Sequence, residues 1–472
     1  MSGNGYLSHA LPFGPEDLRR LAYADPANFP VLLDSAAAGP LGRYSILAAY
    51  PQAAVWQDSE GMLQRSGAAP AAAPRQGFLE ALEQLWSRES ERMAPRGAVG
   101  DCPFRGGWFV YLGYELAAEI EPKLGLPAAT AQNAPRAFAL RAPAALIYDH
   151  EAGQGRAIIE PGHADLPLRL IDALGALGSS PMPGAASDPA IGALELEEED
   201  PERFGHAVDQ ALEHIRAGDI YQANLSRGWR AGFRARLQGD ALQQAGARLY
   251  ERLRTQNSAP FAALARFQDW HLLSSSPERL VRVAGRHVET RPIAGTRPRS
   301  RGADADWREI EALIAHPKER AEHIMLVDLE RNDLGRICRA GSVRADELMR
   351  TESYAHVHHI VSNVCGELND GLTPVDVLRA VFPGGSITGC PKFRCMQIIA
   401  ALERSARGAY TGALGYINHD GSMDFNILIR TITVDATALE FRAGAGIVAD
   451  SDRQLELQET RAKARGLIAA LQ

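Results

Sequence analysis

Short runs in which apolar and polar residues alternate between turn-forming residues dominate the first part of the chain. They predict strands at residues 29–33, 53–56, 107–112 and 144–148. A helix is predicted at residues 203–217, because apolar residues recur on one face from Phe204 to Ile215. Strands often follow one another directly, and helices do not alternate strictly with them. This order predicts an α+β fold with antiparallel sheets rather than a doubly wound parallel sheet.

The second part of the chain is predicted to continue this mixture. Further strands are expected at residues 270–273, 279–283, 411–418, 427–434 and 439–443, and further helices at residues 317–329, 374–381, 391–402 and 453–471. Thr373 stands before Pro374, which is the order of an N-cap and a first helical residue.

One break in composition divides the chain. Residues 176–200 begin rich in Gly, Ser, Pro and Ala and end in an acidic run, which is typical of a linker. The break predicts an N-terminal region at residues 1–175 and a C-terminal region at residues 201–472. Residues 67–75, rich in Ala and Pro, are predicted to form a surface loop.

Charge and cysteine content narrow the class of protein. A net charge of -8 gives no reason to expect binding to nucleic acid or to an anionic membrane. No run of about 18 apolar residues occurs, and the N-terminus lacks the basic and apolar segments of a signal peptide. Five cysteines, without a CxxC spacing, are typical of reduced thiols, so the sequence predicts a cytoplasmic protein.

Two pairs of glutamates are candidates for binding a metal ion. Glu319 and Glu322 are three residues apart and would share one face of a helix. Glu456 and Glu459 repeat that spacing, and Lys463 lies four residues further on. Carboxylates without His or Cys suit a hard cation, and Mg2+ fits best. A solvated acidic face is the alternative interpretation of either pair.

Two glycine-rich segments are candidates for anion binding. Residues 383–389 include Ser386 and precede a helix whose first turn holds Pro391 and Lys392, so their amides could cradle an anion. The spacing is not that of a Walker loop, and a tight structural turn is the alternative. Residues 444–449 formally match a dinucleotide fingerprint, but no βαβ unit fits there, which favours an amide cradle for a carboxylate.

Two further side chains are candidates for a role in the site. Arg430 ends an apolar run and should meet a carboxylate, either from the protein or from a substrate. His359 lies near His356 and His358. A single histidine in such a segment is more often packed or solvated than catalytic.

Seven motifs occur in one order along the chain. They are Ser-Pro-Glu at 276–278, Arg-Pro-Ile-Ala-Gly-Thr-Arg at 291–297, the acidic segment at 322–333, Phe-Pro-Gly-Gly-Ser-Ile-Thr-Gly at 382–389, Ile-Arg-Thr at 429–431, Gly-Ala-Gly-Ile-Val at 444–448 and Glu-Thr-x-x-Lys at 459–463. Together they resemble the chorismate-utilising enzymes, densely from residue 204 onward and more thinly at residues 32–35, 42–47 and 113–115. The resemblance implies large antiparallel sheets packed as a sandwich with helices outside.

The resemblance also implies roles for individual residues. Glu322 and Glu459 would hold Mg2+, and Glu319 and Glu456 would lie close by. Glu278 would act as the general acid that protonates the departing C4 hydroxyl of chorismate. The substrate carboxylates would be held by Arg430, Tyr416, Lys463 and the backbone of Gly444, Ala445 and Gly446. The remaining catalytic positions would be Thr296, His359 and Ser386.

Gln222 indicates which nucleophile is used. It matches the position at which water-adding members of the family carry a lysine base, and glutamine cannot deprotonate water, so ammonia is expected. Residues 221–225 and 384–389 are similar to component I of the aminodeoxychorismate synthases, which aminate chorismate at C4 for p-aminobenzoate and folate synthesis. Ala294 departs from their lysine and matches component I of the anthranilate synthases. Conversion of chorismate to anthranilate and pyruvate is therefore the alternative.

The ammonia is expected to come from a partner protein. No cysteine lies in the glycine elbow of a glutamine amidotransferase, so the family resemblance implies a separate amidotransferase subunit. Residues 32–35, ending at Ser35, resemble the tryptophan pocket of anthranilate synthases, which implies a structural or regulatory site for bound tryptophan. A binding module without chemistry is disfavoured, because the implied catalytic acids and Arg430 are all present.

Overall fold

Two large antiparallel sheets form the centre of the structure. The computed structural model describes residues 6–37, 39, 41–67, 76–92, 102–127, 134–178, 182, 194–299, 302–353 and 357–472. Its strands are β1 (Leu7–Leu11), β2 (Val31–Asp34), β3 (Tyr44–Ala49), β4 (Ala53–Gln57), β5 (Leu63–Gly67), β6 (Gly107–Leu112), β7 (Ala137–Ala142), β8 (Ala144–Asp149), β9 (Gln154–Ile159), β10 (Glu197–Glu198), β11 (Gln222–Gly232), β12 (Phe261–Phe267), β13 (Trp270–Ser276), β14 (Arg279–Ala284), β15 (His287–Arg291), β16 (Ile293–Pro298), β17 (Arg344–Ser353), β18 (Val357–Glu367), β19 (Gly389–Cys390), β20 (Ala413–Asn418), β21 (Met423–Ile427), β22 (Thr431–Val434) and β23 (Ala438–Ile447). Its helices are α1 (Pro15–Ala24), α2 (Phe78–Arg92), α3 (Ala117–Ile120), α4 (Leu166–Ala176), α5 (Pro201–Arg216), α6 (Asp240–Gln256), α7 (Ala303–Ala315), α8 (Pro317–Gly335), α9 (Pro374–Val381), α10 (Lys392–Glu403) and α11 (Arg453–Leu471), with short 3-10 turns at Tyr114–Leu116 and Pro122–Leu124.

The described strands divide into a first sheet of 12 and a second sheet of 11. The first sheet has the order β1-β9-β8-β3-β2-β12-β13-β22-β23-β11-β10, and β19 pairs with β11. The second has the order β16-β18-β15-β14-β21-β20-β6-β7-β4-β5, and β17 pairs with β18. The pairings are antiparallel. The predicted α+β class with antiparallel sheets is confirmed.

Apolar layers lie between the sheets and on both outer faces. Between the sheets, Ile46 and Ala263 of the first sheet pack in one cluster with Phe109 and Phe138 of the second. Helices α1, α4, α6 and α11 cover the outer face of the first sheet, and α2, α8 and α9 cover that of the second. Each helix buries one apolar face there, which confirms the sandwich with helices outside. None of the described helices is long and apolar enough to cross a membrane.

Both regions of the sequence contribute strands to both sheets. β2 pairs with β12, with Leu32 opposite Leu264, and β6 pairs with β20, with Phe109 opposite Tyr416. Residues 1–175 and 201–472 therefore share their apolar cores. Within the predicted linker, residues 179–181 and 183–193 lie outside the described residues, as do residues 68–75 of the predicted surface loop.

The predicted bounds of β6 and α9 match the structure. Thr373 caps α9 as expected, because its Oγ1 accepts a hydrogen bond from Asp376 N at 3.2 Å. Asp376 Oδ2 in turn accepts one from Thr373 N at 2.9 Å. This reciprocal capping box satisfies amide groups that would otherwise have no partner in the first turn.

One predicted strand is wrong, and the candidate site lies where the chain departs from it. The pattern at residues 427–434 favoured a continuous strand, but β21 ends at Ile427 in the second sheet and β22 begins at Thr431 in the first. Between them Arg430 has a φ of 51°, a left-handed conformation that interrupts a strand. The pattern looked continuous because Leu428, on the crossing itself, is also buried. The chain passes between the sheets at Arg430.

Helix α8 is six residues longer than predicted, since it ends at Gly335 rather than at residue 329. The four residues between Leu329 and Leu334 are polar, but Glu330 and Asp333 among them are buried on the continuing helix. Asp333 forms an ion pair with Lys392 at the start of α10. Buried acids therefore replaced the apolar residues that would have predicted this last part of the helix.

Candidate active site

Most of the predicted site residues converge where the chain crosses between the sheets. Electrostatic interactions link Arg430 to Glu278, His359 and Lys463. Glu278 follows β13, His359 lies in β18 and Lys463 in α11. Because α8 packs against β16 and β18, and α11 packs against β23, these two helices flank the region. Residues far apart in the sequence therefore form one cluster.

Glu278 is a buried carboxyl group with one short hydrogen bond. Its side chain is in a residue only 5% exposed, and Ser386 Oγ donates to Glu278 Oε1 at 2.6 Å. Burial raises the pKa of Glu278 to about 7, against the opposing effects of Ser386, Lys463 and Arg430. A large share of Glu278 therefore carries a proton at neutral pH, which suits a general acid.

Arg430 presents a half-buried cation. Its backbone carbonyl accepts a hydrogen bond from Ser275 N at 3.1 Å. Among the described residues, no side chain accepts a hydrogen bond from its guanidinium group, and Glu278 is the one acid that acts on it electrostatically. Burial lowers the pKa of Arg430. Such a group is a good receptor for a carboxylate, which could accept two of its N–H groups.

Lys463 connects α11 to the strand beside it. Lys463 Nζ donates to the carbonyl of Gly444 at 3.0 Å and forms an ion pair with Glu459 Oε1 at 2.7 Å. Burial tends to lower the pKa of Lys463, but the Glu459 carboxylate outweighs it and raises the pKa. Lys463 therefore remains an ammonium group at neutral pH.

Residues 444–446 are part of the strand β23, where a loop was predicted. Gly444 and Gly446 pair with β11 on one edge, whereas the pairing of β23 with β22 on the other edge covers only residues 439–441. The glycines also allow close approach of neighbouring side chains. A Cβ on Gly444 would lie 2.5 Å from the Tyr410 hydroxyl, and one on Gly446 would lie 2.5 Å from Gln222 Nε2. Ala445 packs in an apolar cluster on the opposite face, so its side chain does not reach the site.

Gln222 begins β11 with a buried amide group. Its side chain lies against Gly446, and its Oε1 is buried without a hydrogen-bond partner among the described residues. An unpaired buried amide oxygen costs about 1–3 kcal/mol, so a donor from a ligand would be stabilising there. An amide oxygen accepts hydrogen bonds but does not act as a base.

His359 and Thr296 are paired across β18 and β16. Burial, assisted by the charge of Arg430, lowers the pKa of His359 to about 3, so the imidazole is neutral. The side chain of Thr296 lies outside the described part of the chain. A Cβ on Gly295 would lie 2.9 Å from Glu319 Oε2, which places the start of α8 against this pair of strands.

The four candidate metal ligands differ in their exposure to solvent. Glu456 is buried, Glu319 and Glu322 are half-buried, and Glu459 is exposed. In the described ranges, no three His, Cys, Asp or Glu side chains are gathered closely enough to hold a metal ion. A set of carboxylates from two helices still matches the chemistry of Mg2+, which commonly takes one or two carboxylates and keeps several waters.

Tyr416 and Ser35 lie elsewhere, beside a cavity of about 600 Å³. Arg279 and Asp424 also line that cavity. Tyr416 packs edge-on against Phe104, with ring centroids 5.8 Å apart, and burial raises the pKa of its hydroxyl. The structure therefore places Tyr416 with Ser35 and not with the cluster around Arg430, which corrects the prediction for Tyr416.

Tyr410 occupies the position expected for Tyr416. Its hydroxyl accepts a hydrogen bond from Asn224 Nδ2 at 3.4 Å, lies over Gly444 and interacts electrostatically with Lys463. Residue pattern alone did not distinguish the two tyrosines. Thr411 decides between them, because its φ of 62° turns the chain and its N–H donates to the Leu428 carbonyl beside the crossing at 2.7 Å.

Comparison with known proteins identifies the family of the chain. The family model described as chorismate binding enzyme matches residues 41–469. The chain is 38% identical to the "Anthranilate synthase component I-like protein" of Synechocystis sp., over 92% of this chain and 83% of that protein. It is 39% identical to "Aminodeoxychorismate synthase component 1" of Salmonella typhimurium, over 79% of this chain and 78% of that protein. The crystal structure of anthranilate synthase component I from Streptococcus pneumoniae superposes with a TM-score of 0.74 and 31% identity, covering 91% of this chain and 93% of that chain.

The chain belongs to the family of chorismate-binding enzymes. The cluster around Arg430, formed by an acid, two cations and a neutral histidine, lies at the motifs that carry the resemblance. Relatives of comparable identity are named for amination to aminodeoxychorismate and for anthranilate synthesis. The choice of product therefore depends on the residues of the site.

Proposed function

We propose that this enzyme aminates chorismate at C4 and forms 4-amino-4-deoxychorismate for p-aminobenzoate and folate biosynthesis. The observation that carries amination is Gln222, whose buried Oε1 has no partner among the described residues and stands where water-adding members of the family are expected to carry a base. Ammonia needs no base to become a nucleophile, and its N–H groups would satisfy this oxygen. Ala294 favours a second candidate, which is the conversion of chorismate to anthranilate and pyruvate.

The proposed first step uses residues of the Arg430 cluster. Arg430 and Lys463 would bind the carboxylates of chorismate, and Tyr410 would add a hydrogen bond. The C4–O bond breaks, and the hydroxyl leaves as water with the proton of Glu278. Ammonia forms the new C–N bond, and the added nitrogen then returns a proton to the Glu278 carboxylate, which restores the acid. Lys463 would not act as a nucleophile, because the Glu459 carboxylate keeps it an ammonium group in the structure and a substrate carboxylate would replace Glu459 as its partner.

Mg2+ is the proposed cofactor. Glu322 and Glu459 would hold it, with Glu319 and Glu456 nearby, because carboxylates on two flanking helices supply the oxygen ligands that Mg2+ prefers. When bound, it would supply Lewis-acid polarisation of the substrate and neutralise negative charge. On binding Mg2+, the exposed Glu459 would give up its ion pair with Lys463. Lys463 would then pair with a substrate carboxylate.

A separate glutamine amidotransferase subunit is the proposed source of ammonia. The cysteines of this chain are unsuited to attack glutamine, because burial raises the pKa of Cys338 and Cys365 to about 11 and that of Cys395 to about 12. Burial also raises the pKa of Cys390, and Cys102 is buried. Buried, reduced thiols are also what we expect of a cytoplasmic enzyme.

Tryptophan is the proposed occupant of the cavity beside Ser35. The cavity of about 600 Å³ has room for an indole ring. Arg279 and Asp424, which line it, form an ion pair with each other at 3.0 Å, and the carboxylate and ammonium groups of a bound amino acid would have to share or exchange that pair. This site is distinct from the Arg430 cluster, so occupancy there would act on turnover only indirectly.

A product assay tests the proposed function. The purified chain is incubated with chorismate, Mg2+ and an ammonium salt at alkaline pH, and the products are separated by chromatography with fluorescence detection. We expect p-aminobenzoate only after addition of aminodeoxychorismate lyase, and no turnover after EDTA until Mg2+ is restored. Anthranilate and pyruvate formed without the lyase would establish the second candidate, and no consumption of chorismate would refute both.

Tyr410 and Tyr416 provide a paired test of the corrected site. Tyr410→Phe is expected to raise the KM for chorismate about tenfold, because one hydrogen bond of about 1.4 kcal/mol is lost. Tyr416→Phe should leave that KM unchanged, since its hydroxyl faces the cavity of Ser35. Steady-state kinetics on both variants decide the matter. The reverse result would return Tyr416 to the substrate-binding residues.

A further inference from the structure

One side chain bridges the two ends of the loop at residues 382–391, and the last part of the loop is also held by the pairing of Gly389 and Cys390 with β11. It joins α9 to α10 and carries Ser386, whose hydroxyl bonds to Glu278. Lys392, the first residue after the loop, donates from Nζ to the carbonyl of Val381, the last residue before it, at 3.2 Å. The same ammonium group forms an ion pair with Asp333 of α8. Lys392 therefore ties both ends of the loop to each other and to α8.

Inside this closure, the loop backbone rests directly on its neighbours. A Cβ on Gly385 would lie 2.7 Å from Leu329 Cδ2 and 3.1 Å from Glu330 Oε1, so the backbone is in contact with α8. A Cβ on Gly384 would lie 2.8 Å from Ile427 Cδ1 of β21. Thr388 Oγ1 donates to the Gly384 carbonyl at 2.9 Å. Shifts of α8 or of the loop ends would therefore be passed to Ser386.

The ion pair is shielded from solvent. The side chains of Lys392 and Asp333 are 15% and 3% exposed. Separation of the pair would leave a buried charge without its partner, which is strongly destabilising, so the pair keeps its geometry. Two residues further along the same helix, Arg394 pairs with Asp219 at 3.2 Å, but these side chains are 44% and 36% exposed. That exposed pair is a natural control, because pairs of this kind contribute little to stability.

We propose that Lys392 and Asp333 are positioning residues, which close the loop at residues 382–391 and thereby hold Ser386 against the catalytic acid Glu278. The proposal rests on the proposed function, in which Glu278 protonates the leaving hydroxyl. It also explains why a lysine follows the glycine-rich turn without forming a phosphate-binding loop: its ammonium group is committed to Asp333 and Val381.

A double-mutant cycle tests the proposal. Lys392→Met and Ser386→Ala are each expected to lower kcat about tenfold while the KM for chorismate changes little, because both remove the same hydrogen bond to Glu278. The double variant should be no worse than the poorer single variant, since residues that act through one contact are not additive. Arg394→Met should retain wild-type kcat.

Two further measurements separate positioning from loss of fold. Asp333→Asn combined with Lys392→Met removes both charges, so we expect stability near that of the wild type but still a tenfold loss of kcat. Amide hydrogen exchange at residues 382–391 should be faster in Lys392→Met than in Arg394→Met. This expectation does not depend on which reaction the enzyme catalyses. Additive losses in the cycle, or unchanged exchange in the loop, would overturn the proposal. Failure of the wild-type chain to convert chorismate would instead refute the proposed function.

Discussion

Replacement of Glu278 by glutamine is expected to lower kcat for chorismate amination by about 10³-fold, the range that a positioned general acid contributes. The amide has the shape of the carboxyl group and can still accept the hydrogen bond of Ser386, but it cannot deliver a proton. At a fixed concentration of free ammonia, wild-type kcat/KM should fall as the pH rises through about 7, where Glu278 loses its proton. The residual activity of Glu278→Gln should lack that step.

The same substitution should increase stability in alkaline solution. The pKa of Glu278 is raised in the folded state by burial, so folding favours the protonated form. Stability is therefore lost as the pH rises from the unfolded-state pKa through about 7, and Glu278→Gln avoids this loss. We expect a higher Tm than that of the wild type at pH 8. Glu440→Gln, which alters an exposed carboxylate paired with Arg230, is the matched control and should change neither kcat nor its pH dependence. A kcat of Glu278→Gln within tenfold of the wild type would exclude Glu278 as the acid.

Much of the fold follows from local pattern. Capping and proline rules placed the start of α9, and alternation placed β6, because each depends on residues near in sequence. The path of the chain across the two sheets does not depend on residues near in sequence alone. Apolar residues such as Leu428 and Ile432 are buried on both sides of Arg430, so periodicity could not show that the chain changes sheets there.

Site residues that stand in a motif could be predicted from the sequence. Residues whose side-chain direction depends on a turn of the backbone could not be predicted as well. Glu278, Arg430 and Lys463 stand in motifs, and the structure brings them together. The two tyrosines are six residues apart in one glycine-rich segment, and between them Thr411 adopts a left-handed conformation that the residue pattern did not show. Long-range packing, which sequence pattern does not encode, decides such cases.

Arg430 is expected to matter for substrate binding more than for stability. Arg430→Met should lower kcat/KM for chorismate by about 10²–10³-fold, which is the 3–4 kcal/mol that a buried carboxylate partner of arginine can contribute. Most of the loss should appear in KM, because the interaction is made with the bound substrate before the C4–O bond breaks. Arg430→Lys should recover little, since an ammonium group cannot form the two parallel bonds of a guanidinium group.

Stability separates this role from a structural one. A half-buried guanidinium group without a protein acceptor in the described residues is costly, so its removal should leave the Tm unchanged or slightly raised. Arg404 supplies the matched control, because it too is an arginine with a left-handed φ, 54° against 51° for Arg430, but it is exposed at the end of α10. Glycine at either position removes left-handed strain of about 1–2 kcal/mol, which stabilises the folded state. Glycine also increases the entropy of the unfolded chain, which has the opposite effect. Both changes should therefore affect the Tm little. Only Arg430→Gly should abolish measurable chorismate binding, which isothermal titration calorimetry would record directly. Equal binding by Arg404→Gly and Arg430→Gly would mean that the cation at the sheet crossing serves the fold and not the substrate.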